Sequence, residues 1–443
     1  MSALYPIYRG VTAIGRPALS MFLSHRQSKG KEDPLRLRER KGFASKMRPK
    51  GKLVWMHGAS VGESLSMLPL ITAITMAAQE EITILVTTGT VTSARLMEKR
   101  LPDNCIHQFI PLDCPKWVDR FMAHWYPDVV LWFESDIWPN LIHAIGRDDI
   151  PGAFINARMS EKSYRRWKKS GSMITELLSH FDAAFTQTPQ ETQWFKELGI
   201  PETDYLGNLK YASKPLPVDD ANLEKMREQV GDRYTFVFAS THDDEEAQAA
   251  RMYSDIRDQI DDFLMIIVPR HPKRADDIRA AIATVSDTLT VSQRSRHEPV
   301  TDQTDLYIAD TMGEMGLFYR LADVTAIGGS FVQFGGHNPI EPAQLKRPVY
   351  YGPGMFNFQA VCAEMEAANA ADQVHDMDEM GQELITLASD HQLRQKKAEL
   401  AHEFARDKRD VVKRTLSRLT DTFAKADIHL RDIQDIEIYD DPA

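Results

Sequence analysis

Cysteine is scarce. The 443-residue chain has three, Cys105, Cys114 and Cys362, with no CxxC pair. That set builds neither a disulfide framework nor a zinc site, and a reducing compartment is the simple expectation. Long apolar runs are missing too: none reaches the roughly 18 residues of a membrane-spanning helix. Residues 4–23 are apolar but broken by Pro6, Arg9, Arg16 and Pro17. They read poorly as a signal peptide, because no small-residue cleavage site follows them cleanly. No Gly-Lys-Ser/Thr completes a Walker A loop, and no GxGxxG dinucleotide loop occurs. His57, His242, His271 and His337 never fall into HxxxH or HExxH spacing, so no catalytic metal is expected.

What is present is ample for cores of ordinary size, with 43% hydrophobic residues. The net charge is −11 and uneven. Residues 1–50 carry twelve Lys/Arg against three Asp/Glu, a net +9 that leaves −20 for the rest. No basic stripe runs through the body, which argues against nucleic acid as a partner. The basic arm, with its aromatics and leucines, suits contact with an anionic membrane surface.

From Gly51 onward short apolar runs alternate with helical stretches, as in "KLVWM", "ITILVTT", "DVVLWFES" and "GAFINAR". This spacing predicts a parallel sheet with both faces covered. The proline-rich "KPLPVDD" at 214–220 reads as a linker. The pattern restarts with "YTFVFAST", "FLMIIVPRHP", "VTAIGGS" and "RPVYYGP", and a long helical tail follows from about Met380. The expected organisation is a basic arm at 1–50, an α/β domain at 51–213, the linker, a second α/β domain with terminal helices at 221–425, and an acidic tail at 426–443. Both domains are read as doubly wound, so ligands are expected at the carboxyl ends of strands.

Several unusual stretches fall there. "HGASVGE" contains GxSxG, the nucleophile elbow of serine hydrolases, with Ser60 as the nucleophile. It follows the first clear strand rather than a built sheet, and no acid–histidine pair stands out to complete a triad. Ser60 and Glu63 also stand in capping-box spacing, which gives Glu63 a purely structural reading. A carboxylate at a helix start, kept ionised there, also serves as a general base, and Gly58 and Gly62 admit a bulky substrate. Glu134 ends the apolar strand "VVLWF", where an acid needs a partner or a site; Arg158 and Lys210 are candidate partners. Arg270 and His271 end another strand and suit a phosphate or carboxylate. Lys273 and Arg274 read as a solvated basic loop. The loops at Gly328–Ser330 and "GGHN", with Asn338 and Glu341, point to nucleotide binding through backbone amides and ribose contacts.

"HGASVGE", "ESDIWPN", "NARMSEKS", "QTPQE", "GNLKY", "ASTHDDEE", "VPRHPKR", "DTMGEMGLFY" and "GGSFVQFGGHNPIEPA" occur in this order. In this set the chain resembles the 3-deoxy-D-manno-octulosonic acid (Kdo) transferases, GT-B glycosyltransferases of lipid A assembly, over about residues 51–358. The resemblance implies two facing Rossmann-like domains with a central cleft and a C-terminal helical tail. It implies an inverting transfer of Kdo from CMP-Kdo, held by the C-terminal half, to the lipid A precursor (lipid IVA), held by the N-terminal half. It implies no cofactor, and a peripheral position on the cytoplasmic face of the inner membrane.

By the same resemblance Glu63 is the base, and Glu134 and Lys210 support the transition state. Lys210 would hold either the Kdo carboxylate or a lipid phosphate. Arg270, His271, Met312, Gly313, Glu314, Asn338, Pro339, Ile340 and Glu341 match CMP-contacting segments, with Ser240, Gly328, Gly329 and Ser330 lining the same pocket. His57, Ser60, Gly62 and Arg158 are acceptor-side candidates. Gln333 and Phe334 stand where the family commonly carries a more basic loop. The competing readings are a serine hydrolase using Ser60 and a nucleotide-sugar-binding protein without turnover.

Overall fold

The computed structural model describes residues 4–134, 136–212 and 215–432, without the side chain of Lys210. Lys214 of the expected linker and the tail beyond residue 432 lie outside the described residues. The chain divides into two compact units, one of residues 1–213 with 408–440, the other chiefly of residues 214–407.

The first unit carries β1 (Lys52–His57), β2 (Ile82–Thr88), β3 (Cys105–Phe109), β4 (Val129–Phe133), β5 (Gly152–Ala157), β6 (Ala183–Thr186) and β7 (Glu202–Tyr205). They form one parallel sheet in the order β3-β2-β1-β4-β5-β6-β7. Alternation along β1 shows why both faces are covered. Leu53 and Trp55 enter one core with Phe121 and Trp132, while Val54 and Met56 enter another with Leu70 and Ile71. A strand buried on both sides has no polar alternation, which is why it reads as a continuous apolar run.

The second unit carries β8 (Tyr234–Thr241), β9 (Phe263–Pro269), β10 (Val291–Gln293), β11 (Leu306–Ile308), β12 (Val324–Ile327), β13 (Val349–Tyr351) and β14 (Asp372–Gln373). Its sheet is also parallel, in the order β10-β11-β9-β8-β12-β13-β14. Both sheets are therefore doubly wound, each changing winding direction beside its first strand.

One expectation changes, and the arm gains detail. The basic arm is helical: α1 (Leu4–Ile14) and α2 (Arg16–Ser28) form because Pro6 and Pro17 sit in first turns, where the missing N–H costs nothing. Leu23 of α2 is fully buried, and residues after α2 dock on the first unit, with Glu39 accepting from Phe109 N at 2.7 Å. The closing helix Val411–Lys425, expected in the second domain, packs on the first sheet. Its stripe Val411, Val412, Leu416, Leu419 and Phe423 joins the core of the helix α3 (Val61–Ala77). The helix α4 (Val91–Arg100) is capped by Thr90, and α5 (Pro115–Trp125) starts on a proline.

Candidate active site

In an open α/β sheet the ligand crevice lies where winding direction reverses, outside the carboxyl ends of the two central strands. In the first unit these are β1 and β4. β1 runs into Gly58–Glu63, and β4 runs into Glu134.

The Gly58–Glu63 loop is a capping box. Ser60 Oγ accepts from Glu63 N at 3.3 Å, and Glu63 Oε2 accepts from Ala59 N at 2.6 Å. The structural reading of Glu63 is therefore real, but it is incomplete. Burial pushes the Glu63 carboxyl above the usual carboxylate range, and the charges of Glu134 and Asp136 push the same way against the hydrogen bonds from Ser60 and Ala59. The expectation that the helix start keeps this group readily ionised is thus corrected: desolvation outweighs the cap. The result is a carboxylate with a stronger appetite for a proton than a surface glutamate.

Glu134 is buried and has φ of 59°, a left-handed backbone uncommon in residues with a Cβ. Asn156, next to last in β5, has φ of 52°. Such conformations persist where surrounding bonds over-determine them, and they cluster at functional sites. Here Glu134 N donates to Ile155 O at 3.1 Å, and Asn156 Nδ2 lies 3.5 Å from Glu134 Oε1. Asn156 Oδ1 also accepts from Leu209 N at 3.0 Å. That bond fixes the short 3-10 turn Leu209–Tyr211, and so the backbone of Lys210. Sequence reasoning quoted Asn156 in a motif but gave it no role. Arg158 is exposed at the end of β5, and Ser60 and Gly62 are accessible.

His57 is a correction. It is fully buried, its ring lies 4.5 Å from that of Trp132, and Nδ1 is 2.9 Å from Thr87 Oγ1. Burial lowers its pKa to about 3, so it supports the loop as a neutral ring and lines no surface. The hydrolase reading fails on geometry: Ser60 Oγ is engaged by Glu63, and no imidazole bonds it among the described residues.

In the second unit the winding reverses between β8 and β12. Ser240, with φ of 62°, ends β8, and Gly328–Ser330 follow β12. A Cβ on Gly328 would lie 2.6 Å from Ser240 O, so only glycine allows the two loops to meet. Glu245, fully buried, holds this meeting point. Its carboxylate accepts from His242 N (2.8 Å), Gly329 N (2.7 Å) and Phe331 N (3.0 Å). Burial pushes its pKa up to about 7 against those three bonds. Glu246, also buried, accepts from Arg274 Nη1 at 2.9 Å. Arg274 is thus an ion-pair partner, not part of a solvated loop.

Arg270 and His271 are exposed at the end of β9. The His242 and His337 rings meet Nε2 to Nε2 at 3.0 Å, and Phe334 stacks on His242 at 4.0 Å. One ring must donate and the other accept, so a single proton bridges them. Burial lowers both, His337 to about 4. Glu245, His242, His337 and Phe334 escaped sequence reasoning as a group, because 95 residues separate the two histidines.

Other donor-side expectations divide. Met312 is exposed and Gly313 has φ of 85°, so this turn is open to solvent. The Glu314 carboxylate is tied up by Arg294 at 2.5 and 2.6 Å. Asn338 Oδ1 accepts from Ile340 N at 3.1 Å, and its amide is 3.3 Å from Glu341 Oε1. Ser330 is a correction: it is buried, and its hydroxyl bonds Ile327 O and Gly352 N. Ile340 is fully buried and Pro339 is buried, so their side chains belong to the packing beneath the loop.

The sequence model described as 3-deoxy-D-manno-octulosonic-acid transferase (kdotransferase) matches residues 35–213. A 3-deoxy-D-manno-octulosonic acid transferase of Rickettsia bellii (strain RML369-C) is 34% identical over 351 residues, spanning 79% of this chain and 83% of the relative. One from Haemophilus influenzae is 28% identical, spanning 93% and 97%. Among solved structures, a glycosyltransferase from Rickettsia africae superposes with a TM-score of 0.54 at 12% identity, spanning 85% of this chain and 99% of that one. That last likeness speaks for the two-sheet architecture alone.

Proposed function

The chain belongs to the 3-deoxy-D-manno-octulosonic acid transferase family, and on that premise we propose that it moves Kdo from CMP-Kdo to a hydroxyl of the lipid A precursor with inversion. The observation that carries the reading is the partly desolvated Glu63 carboxylate at the first unit's switch point, raised in pKa by burial and by Glu134. In the step, the acceptor oxygen bonds to the anomeric carbon of Kdo. The bond from that carbon to the phosphate oxygen breaks, CMP leaves with the electron pair, and Glu63 takes the acceptor's proton.

Arg270 and the amides of the glycine loops stabilise charge on the departing phosphate. The Met312–Gly313 turn and Glu341 lie toward the nucleoside. Lys210, on a turn fixed by Asn156, complements an anionic group of one of the substrates.

Membrane contact is part of the proposal. No helix among the described residues is long and apolar enough to cross a membrane. Leu4, Ile7, Val11 and Ile14 form one stripe of α1 and are 47, 61, 65 and 83% exposed. The flank of the helix next to this stripe is docked through Tyr8, whose hydroxyl donates to Asp113 at 2.8 Å. An apolar stripe presented outward on a helix held in place suits a peripheral position on a lipid surface.

The test combines purified protein, CMP-Kdo generated in situ and a tetraacylated disaccharide acceptor, with product mass as readout. Addition of Kdo is expected. CMP binding with no mass change would replace this reading with nucleotide-sugar binding without turnover.

A further inference from the structure

Several of the arm's cations are paired. Arg26 pairs with Glu32 at 2.6 Å, Arg36 with Glu39 at 2.9 Å, and Arg48 with Asp128 at 3.3 Å. Four other cations, two from the arm and two from α5, converge. Arg16 of α2, Lys41, and Lys116 and Arg120 of α5 line one pocket of about 360 Å³, over Phe43 and Trp117. No carboxylate lines it. The acid on the same helix, Asp119, is drawn instead to Arg9 (3.8 Å) and Arg147 (2.8 Å).

The pocket is built rather than incidental. Gly42, with φ of 79°, presses against α5 so closely that a Cβ there would lie 2.0 Å from Trp117 O. Arg120 Nη1 donates to Lys41 O at 2.7 Å, and its guanidinium lies 3.8 Å from the Phe43 ring centre. Like charges around one pocket repel one another, and a bound anion relieves the repulsion. The same helix α2 that lines the pocket through Arg16, Pro17 and Ser20 leaves Met21 and Phe22 73 and 49% exposed, and the apolar stripe of α1 precedes it in the chain.

We propose that this pocket holds the phosphate of an anionic membrane-lipid headgroup, with the lipid's chains running beside the exposed apolar residues of α1 and α2. The inference rests on the peripheral-membrane reading above and is independent of the transfer chemistry. A lipid is favoured over a soluble phosphate because the helix that supplies Arg16 also carries exposed apolar side chains. Headgroup attraction of this kind is roughly fivefold in affinity for each cation near the surface.

The experiment is co-sedimentation of the full chain with vesicles of phosphatidylcholine alone, or of equal parts phosphatidylcholine and phosphatidylglycerol. Wild type is expected to prefer the anionic vesicles. Lys41→Gln with Lys116→Gln, both away from the core, should weaken that binding about 25-fold. Lys162→Gln with Lys169→Gln, an equal charge change on exposed positions elsewhere, should leave it within about twofold. Equal losses in both double variants, or none in the first, would overturn the pocket in favour of diffuse attraction. Release from vesicles by soluble glycerol phosphate would assign the pocket to a free phosphate. Failure of wild type to bind either vesicle would sink the membrane reading itself. Product formation with detergent-dispersed acceptor reads the transferase activity separately.

Discussion

Glu63 has a structural job and a proposed chemical one, and two substitutions separate them. Glu63→Gln keeps an oxygen to accept from Ala59 N, so the 2.6 Å cap of α3 survives. It also removes a charge that burial and Glu134 disfavour. Stability is therefore expected to stay within about 1 kcal/mol of wild type. The amide cannot accept the acceptor's proton, so kcat should fall about 10²- to 10⁴-fold, or about 2.7–5.4 kcal/mol of barrier. Glu63→Ala loses the cap as well and should cost about 1 kcal/mol of stability in addition. The assays are initial rates of product formation by mass and urea unfolding of each variant. A Glu63→Gln rate within tenfold of wild type would refute the base. So would a rate loss that tracks stability across both variants, since the residue would then be a cap alone. The pH profile gives a further check. The base works only when ionised, so kcat/KM should fall as pH drops through its raised pKa. Glu134→Gln removes one charge that raises it, and should move this acid limb to lower pH; an unmoved limb would deny the coupling.

Arg270→Ala should weaken CMP binding about 10- to 100-fold, read as lost protection against thermal unfolding; unchanged protection would take Arg270 out of the donor site. Gly328→Ala should abolish that protection, because its Cβ would lie 2.6 Å from Ser240 O, while Gly313→Ala, with open space around it, should cost only about 1–2 kcal/mol of backbone strain. Equal effects would refute the close approach of the two loops. Acid stability should follow the buried histidines of the first unit. His57 and His107 are lowered to about 3 by burial, so below pH 6.5 the unfolded chain binds more protons than the folded one. Stability is then complete above about pH 6.5 and lost as pH falls, by about 2 kcal/mol per histidine at pH 5. Glu245, raised to about 7, acts the other way, so the histidine part is read by difference: a midpoint change between pH 7 and 5 that is the same in His107→Gln as in wild type would contradict this.

The sequence by itself determined the two α/β halves and the strand ends where the chemistry is proposed. Strands buried on both faces are continuous apolar runs, and the loops after them are short, so Gly58–Glu63, Glu134, Arg270 and Gly328 could be placed from local pattern. β7 (Glu202–Tyr205) and β14 (Asp372–Gln373) were not legible, because a short polar edge strand is specified by the neighbour it pairs with. The capping box was legible in spacing, but the pKa of Glu63 was not, since it depends on how much protein closes over the carboxylate and on Glu134, 71 residues away. Tertiary structure alone decided that His57 and Ser330 are internal and that Glu245 holds the Gly328–Phe331 loop. It alone paired His242 with His337, seated the closing helix on the first sheet, and gathered Arg16, Lys41, Lys116 and Arg120 around one pocket. Periodicity along a chain fixes which face of an element is apolar; burial, desolvation and the meeting of distant charges are set only when those faces find their partners.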